Sequence, residues 1–187
     1  MPRPNWFLAF PLDGSFVLAL PELPRGLRRY QAEDVHMTLA FLGGCGEAGA
    51  LAALAALDEQ LARAPLAPLD VSLGEVVPMG GSRLGYSALS ALLSRGRVEA
   101  TNVLGAYRDA LTEAATGRRE KRAPKPHVTV ARPKGRAADA EREAGLAWAA
   151  ALQLGAVQQR LDRIALYTWH EHRHERLFRI VAERRLG

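Results

Sequence analysis

The chain has 187 residues, of which 48% are hydrophobic and 24% charged, so it has the composition of an ordinary globular domain with a core. Its apolar runs are too short to cross a bilayer, and its single cysteine, Cys45, excludes an internal disulfide. The formal net charge is +5 and nearly all of the cations are arginines. This excess favours phosphate-bearing partners, although a general bias of the chain towards Arg, Ala, Leu and Gly explains it equally well.

The first predicted element is a buried strand in "NWFLAFPLD", residues 5–13. The segment that leads into it carries one arginine and a short apolar stretch broken by Pro11, which makes a poor signal peptide. We therefore expect a cytoplasmic protein. The next strand is "DVHMTLAFLGG", residues 34–44, which ends at glycines.

The rest of the chain alternates predicted helices and strands. Consecutive strands without an intervening helix favour antiparallel pairing in an α+β fold. Two similar halves are expected, each with a His-x-Thr strand, then a helix, then two strands. The remaining predicted elements are a helix at 47–65, strands at 69–79 and 84–93, a helix at 98–117, a strand at 126–133, a helix at 137–152 and a closing hairpin within 152–186.

The sequence His-x-Thr-x-Ala occurs twice, at residues 36–40 and 127–131. Because side chains alternate along a strand, each copy is expected to place its histidine, threonine and alanine on one face and its apolar residues on the other. The small alanines would leave room for a ligand against the strand. The residues predicted to face the core are Val35, Met37, Leu39, Phe41, Val128 and Val130.

Two imidazoles and two hydroxyls in one site can perform acid–base chemistry. An isolated histidine on a strand is usually structural, but two copies with the same parity are harder to explain in that way. One imidazole can accept a proton while the other donates one, and the threonines can hydrogen-bond a charged group between them. This set suits in-line displacement at phosphorus and requires no metal.

The motifs "HMTLAFLGG" and "PHVTVAR" resemble those of the 2H phosphoesterase superfamily, and within it the RNA 2′,3′-cyclic phosphodiesterases, also called 2′-5′ RNA ligases. The early "FLAFPL" strand, the proline before the second histidine and the closing "LYTWHEHRHERLFRIV" segment extend the resemblance over almost the whole chain. It implies a single domain over residues 1–187, with two pseudo-symmetric lobes of antiparallel sheet, outer helices and a central cleft.

The resemblance also implies the activity: metal-independent hydrolysis of a nucleoside or RNA 2′,3′-cyclic phosphate to a 2′-phosphate, without a cofactor. His36 would protonate the departing 3′ oxygen and His127 would activate water, although a symmetric site makes the two roles hard to separate. Thr38 and Thr129 would hold the non-bridging oxygens. With both motifs in one chain, we expect a monomer that acts on RNA or nucleotide ends and not at membranes.

Two cations are further candidates for substrate binding. Arg132 would add charge near the phosphate, but its parity places it on the core side unless the strand bends near Pro133. Lys125 and the basic loop before it, which we define as residues 118–125, could follow an RNA backbone or be a solvated loop. Phe7, Phe41 and Tyr86 are weaker candidates for stacking on a base.

Three alternatives remain open. His170, His172 and His174 would share a face of an extended strand and could bind zinc, although surface histidines at a hairpin tip are the simpler explanation. The protein could be an RNA-binding module without turnover. It could also act on another phosphodiester, such as a 2′-5′ linkage or an ADP-ribose cyclic phosphate, or join RNA ends in the reverse reaction.

Overall fold

We describe residues 3–187 from a computed structural model. Residues 1 and 2 of the expected domain lie outside the described residues. Nine strands and three α-helices form within 3–187, with short 3-10 helices at Gly14–Ala19 and Ala32–Asp34. The helices are α1 (Gly46–Arg63), α2 (Arg97–Thr116) and α3 (Asp139–Ala151). The strands are β1 (Trp6–Pro11), β2 (Leu27–Arg29), β3 (His36–Gly43), β4 (Leu69–Met79), β5 (Ala88–Arg95), β6 (His127–Pro133), β7 (Gln158–Leu161), β8 (Arg163–Trp169) and β9 (Phe178–Arg185).

The strands form one antiparallel sheet in the order β7-β4-β5-β6-β3-β1-β8-β9, and β2 pairs with the end of β6. The sheet curls strongly into a half-barrel. The predicted α+β class is confirmed. No helix in the described part of the chain is long and apolar enough to cross a membrane.

Most predicted elements lie within a few residues of their expected positions. The closing hairpin is formed by β8 and β9, whereas β7, which we expected to belong to it, pairs with β4. Strand β5 begins at Ala88, four residues later than expected. Tyr86, just before it, is buried in the core, where its hydroxyl donates to the carbonyl of Arg142. Strand β2 was not predicted, because three residues are too few to show a periodicity.

The core lies between the sheet and its helices. Leu54 and Leu57 of α1, three residues apart and so on one side of the helix, are buried, whereas Leu51 of the same helix is 48% exposed. Helices α1 and α2 pack against each other, with α1 contacting β1 and α2 contacting β3, so the two helices support the central strands. Gly117 ends α2 in the left-handed conformation with φ 69°, as expected of a glycine at this position.

Candidate active site

The two His-x-Thr motifs lie on neighbouring strands at the centre of the sheet. Within residues 3–187 the ladder between β3 and β6 contains one residue pair, Met37–Val128, and both side chains are buried. Antiparallel pairing about this position sets His36 opposite Thr129, and Thr38 opposite His127. The two histidines are thus diagonal neighbours, roughly 7–8 Å apart by the usual spacing of such pairs.

Both imidazoles are held in the same way. Nδ1 of His36 lies 2.6 Å from the carbonyl oxygen of Asp34, and Nδ1 of His127 lies 2.7 Å from the carbonyl oxygen of Lys125. A carbonyl oxygen only accepts, so each Nδ1 carries the proton and donates it. In the neutral form of each ring, Nε2 is left unprotonated and free to exchange a proton with a ligand.

Equivalent β-bulges correct our prediction for the residues after the threonines. Leu8 and Ala9 of β1 pair with Ala40 and Thr38, so Leu39 is the extra residue in β3. Leu89 and Ser90 of β5 likewise pair with Ala131 and Thr129, so the extra residue in β6 is Val130. A bulge of one residue reverses the alternation beyond it.

The bulges move four side chains from their predicted faces. Ala40 and Ala131 are buried in the core and do not line a ligand site, so that prediction was wrong. Phe41 is 49% exposed and was wrongly assigned to the core. Arg132, at the position equivalent to Phe41, joins the face of the histidines without a bend at Pro133. Both Phe41 and Arg132 line the same pocket as His36.

His36 lies among aromatic rings. Its ring centroid is 4.8 Å from that of Phe7, 5.5 Å from that of Tyr167 and 5.6 Å from that of Phe178, whose ring meets it edge-on. The pKa of His36 is lowered to about 4: burial is the largest cause, the hydrogen bond to the Asp34 carbonyl opposes it, and the charges of Arg132 and His127 add to the lowering.

His127 has a more open setting. It is half-buried, and burial is again the largest cause that lowers its pKa, followed by the charges of Lys125 and Arg132, against the opposing hydrogen bond to the Lys125 carbonyl. Both histidines are therefore mostly neutral at pH 7 in the free protein. An anion bound between them would favour protonation of either ring.

The threonines differ in their neighbours. Oγ1 of Thr129 lies 3.2 Å from Oγ of Ser90, which is completely buried, while Thr38 pairs across its strand with Ala9. Ser90 was missed by the sequence analysis because only the pairing of β5 with β6 places it there. It holds the Thr129 hydroxyl beside the histidines.

Arg132 stacks on Tyr30, with its guanidinium carbon 5.3 Å from the ring centroid. Its Nε is buried and has no hydrogen-bond partner among residues 3–187. A buried guanidinium donor without a partner is costly, and a ligand anion would satisfy it. Lys125, by contrast, is exposed, and its carbonyl makes the short contact with His127.

The pocket beside His36 has a volume of about 160 Å³. It brings together His36, Thr38 and Arg132 with the candidate stacking residues Phe7 and Phe41, while His127 and Thr129 lie on the adjacent strand. Tyr86, one of the proposed stacking residues, is buried and does not line it. The complete wall of the pocket is formed by Asn5, Phe7, Tyr30, His36, Thr38, Phe41, Arg132, Trp169, Arg173 and Phe178.

The three histidines of the alternative metal site are not arranged as that alternative expects. Strand β8 ends at Trp169 and β9 begins at Phe178, so the three histidines lie in a turn and not on an extended strand. In the described residues no group of three or more His, Cys, Asp or Glu side chains is arranged to hold a metal ion. The amide of His172 instead donates to Nδ1 of His170, and His174 lies 3.3 Å from the carboxylate of Glu175.

Asp34 is a second residue that sequence analysis missed. Its side chain is completely buried and accepts hydrogen bonds from the amides of Leu177 and Phe178, at 2.9–3.1 Å. Burial raises its pKa, against the effect of these hydrogen bonds. Through its carbonyl oxygen the same residue holds His36, so Asp34 links the start of β9 to the site.

The fold is that of the 2H phosphoesterases, the superfamily that the paired motifs resemble. Solved structures that match include Escherichia coli LigT complexed with 3′-AMP, at 16% identity, TM-score 0.70 and coverage of 100% of this chain and 99% of that one. TT0787 of Thermus thermophilus matches at 24% identity and TM-score 0.65, with 97% of each chain covered. Kluyveromyces marxianus Usb1 matches at 15% identity and TM-score 0.54, over 87% of this chain and 92% of that chain. No protein-family profile and no curated protein sequence matches.

Proposed function

We propose that this protein hydrolyses RNA or nucleoside 2′,3′-cyclic phosphates to 2′-phosphates, with residues 1–187 acting as one catalytic unit that has one motif in each lobe. The observation that carries the proposal is the pair of histidines on adjacent strands. Both donate Nδ1–H to a carbonyl two residues earlier, which leaves both Nε2 atoms unprotonated in the neutral rings, on the same face of adjacent strands. The complex of the LigT fold neighbour with 3′-AMP supports a nucleotide as the ligand class.

The reaction needs one proton acceptor and one proton donor. In our proposal the cyclic phosphate lies between the rings, and His127 removes a proton from a water molecule as its oxygen attacks phosphorus. The bond from phosphorus to the 3′ oxygen breaks, and protonated His36 donates its proton to that oxygen. The products are a 2′-phosphate and a free 3′ hydroxyl. His127 is left protonated and His36 neutral.

The other side chains stabilise charge. Thr38 and Thr129 donate hydrogen bonds to the non-bridging oxygens, with Ser90 orienting Thr129. Arg132 satisfies its unpartnered Nε on the phosphate. Because both histidines are mostly neutral in the free protein, the bound anion must raise the pKa of the ring that carries the proton. If the 5′ hydroxyl of a second RNA attacked phosphorus in place of water, the same proton transfers would join the two RNA ends through a 2′-5′ linkage.

The test is incubation with adenosine 2′,3′-cyclic phosphate in EDTA, with the product identified by phosphorus NMR. We expect 2′-AMP, and a loss of about 10²–10⁴-fold in kcat for His36→Ala and for His127→Ala. His172→Ala, in the turn between β8 and β9, is the matched control and should keep full activity. A 3′-AMP product would contradict the assigned leaving group, and turnover that requires added zinc would contradict metal independence.

The alternative of RNA binding without turnover depends on the basic loop, residues 118–125. Arg119 of this loop pairs with Glu113 at 2.9 Å, and Arg122 pairs with Glu120, so part of its charge is neutralised locally. RNA affinity that survives both histidine substitutions but falls when Lys121 and Lys125 become Gln, with no hydrolysis in any variant, would favour this alternative.

A further inference from the structure

Strand β2 brings a second arginine next to Arg132. Arg28 and Arg132 are direct partners in the antiparallel ladder between β2 and β6. Directly opposed residues point to the same face of a sheet, so Arg28 projects to the face of the histidines. Adjacent strands are roughly 5 Å apart, which places Arg28 one strand beyond the proposed phosphate contact.

The neighbouring arginine shows what a structural role would look like. The Arg29 guanidinium donates to the carbonyl oxygens of Leu20 and Pro21, both at 3.0 Å, and so ties β2 to the preceding loop. The Arg28 side chain is exposed and makes no hydrogen bond or ion pair within the described residues 3–187. Like charges directly opposed across a ladder are destabilising, so this pair has no structural benefit.

A third cation completes the group. Arg173, from the turn between β8 and β9, stacks over Trp169 at 4.1 Å and lines the pocket of His36. Arg28 and Arg173 together also line an adjoining pocket of about 170 Å³. The acidic residues of this second pocket are Asp34, whose carboxylate already accepts hydrogen bonds from backbone amides, and Glu175, which lies beside His174. The balance of charge next to the proposed active site is therefore positive.

We propose that Arg28, with Arg173, binds the phosphodiester that precedes the terminal nucleotide of an RNA strand. The preferred substrate is then an RNA end and not a free cyclic mononucleotide. This inference rests on the proposed function, because it takes the scissile phosphate to lie between His36 and His127. Arg132 contacts that phosphate, and Arg28, one strand further out, contacts the next phosphate along the strand.

The experiment compares three substrates with the same adenosine cyclic phosphate end: the mononucleotide, an adenosine dinucleotide, and that dinucleotide with a neutral methylphosphonate linkage. We expect kcat/KM to be about tenfold higher for the dinucleotide, mainly through KM, and the neutral linkage to remove the gain. Arg28→Gln should remove the gain for the dinucleotide and change the mononucleotide less than about twofold. In Arg28→Gln, the slope of log kcat/KM against log salt concentration for the dinucleotide should become shallower by about one.

The control is Arg63→Gln, which removes an equal charge from the exposed Arg63–Glu59 pair of α1 and should behave as the wild type. Thermal melting checks the fold, and Arg28→Gln should melt no lower than the wild type because a like-charge pair is relieved.

Equal kcat/KM for the charged and neutral dinucleotides, or an equal loss on all three substrates in Arg28→Gln, would overturn the inference and leave the proposed function standing. If the wild-type protein hydrolyses none of the three, the proposed function itself fails. A gain from a terminal 5′-phosphate on the mononucleotide, without a gain from the internal linkage, would assign Arg28 to a nucleotide bisphosphate instead.

Discussion

The buried carboxylate of Asp34 offers a test of how the site is held together. Asp34→Ala would leave the amides of Leu177 and Phe178 without their acceptor, in a region where the Asp34 side chain is fully buried. Phe178 packs edge-on against His36, so the change reaches the candidate catalytic ring. Asp34→Asn keeps one acceptor oxygen, and in the wild type a single oxygen, Oδ1, already lies 3.1 Å and 3.0 Å from the two amides.

The two substitutions differ in what they remove. A buried donor left unsatisfied costs about 1–3 kcal/mol, so two amides would cost about 2–6 kcal/mol, partly offset by relief of the buried charge. We expect Asp34→Ala to lower the free energy of unfolding by about 2–4 kcal/mol, or the melting temperature by roughly 5–15 °C for a chain of this size. Asp34→Asn should lie within about 1 kcal/mol of the wild type, because it removes the buried charge while an acceptor remains.

The pH dependence gives an independent check. Burial raises the pKa of Asp34 above 3.8, so the folded protein binds this proton more tightly than the unfolded chain does. The contribution of Asp34 to the free energy of unfolding therefore falls as the pH rises from 3.8 through the folded pKa. Urea unfolding at several pH values should show that the free energy of unfolding of Asp34→Asn rises relative to that of the wild type over that range. Equal stabilities of the Ala and Asn variants would refute the assigned role of the acceptor oxygen.

Further predictions concern the histidines and their neighbours. Burial lowers the pKa of both rings, that of His36 to about 4, so kcat/KM for a cyclic nucleotide should peak on the acid side of pH 6.5, because it reports the free protein. The optimum of kcat should lie at higher pH, because the bound anion raises both pKa values, and coincident optima would contradict this. Arg132→Gln should raise the pKa of His36, since the guanidinium lowers it, and an NMR titration of the ring that showed no change would contradict that placement. Thr129→Val should lower kcat about tenfold while Thr129→Ser retains it; equal kcat values for the two variants would argue against a catalytic hydroxyl.

The elements of this fold follow closely from local patterns. Leu54 and Leu57 are buried at their helical spacing, and the His-x-Thr strands lie where apolar alternation and flanking turn residues place them. The doubled motif indicates the two histidines because both copies have the same residue types at the same alternating positions, and hence on the same face of a strand. That information is contained within a few neighbouring residues.

The errors have one main physical origin. A β-bulge is set by pairing with the next strand, and the apolar residues Leu39 and Val130 carry no local sign of it. Because the prediction continued the alternation of faces unchanged past each bulge, it assigned Phe41 and Arg132 to the wrong face of the sheet. The contact of Asp34 with Leu177 spans 143 positions, and that of Ser90 with Thr129 spans 39, so only the assembled sheet reveals them.

The two bulges expose a different residue in each copy of an otherwise repeated strand. A site with perfect twofold symmetry would accept a ligand equally well in either direction. Here one flank offers the aromatic ring of Phe41 and the other the guanidinium of Arg132. In the proposed function, a nucleotide with a flat base at one end and an ionised group at the other would match these flanks in only one sense. On this proposal, the polarity with which an RNA strand enters the cleft would be decided at the fifth position after each histidine.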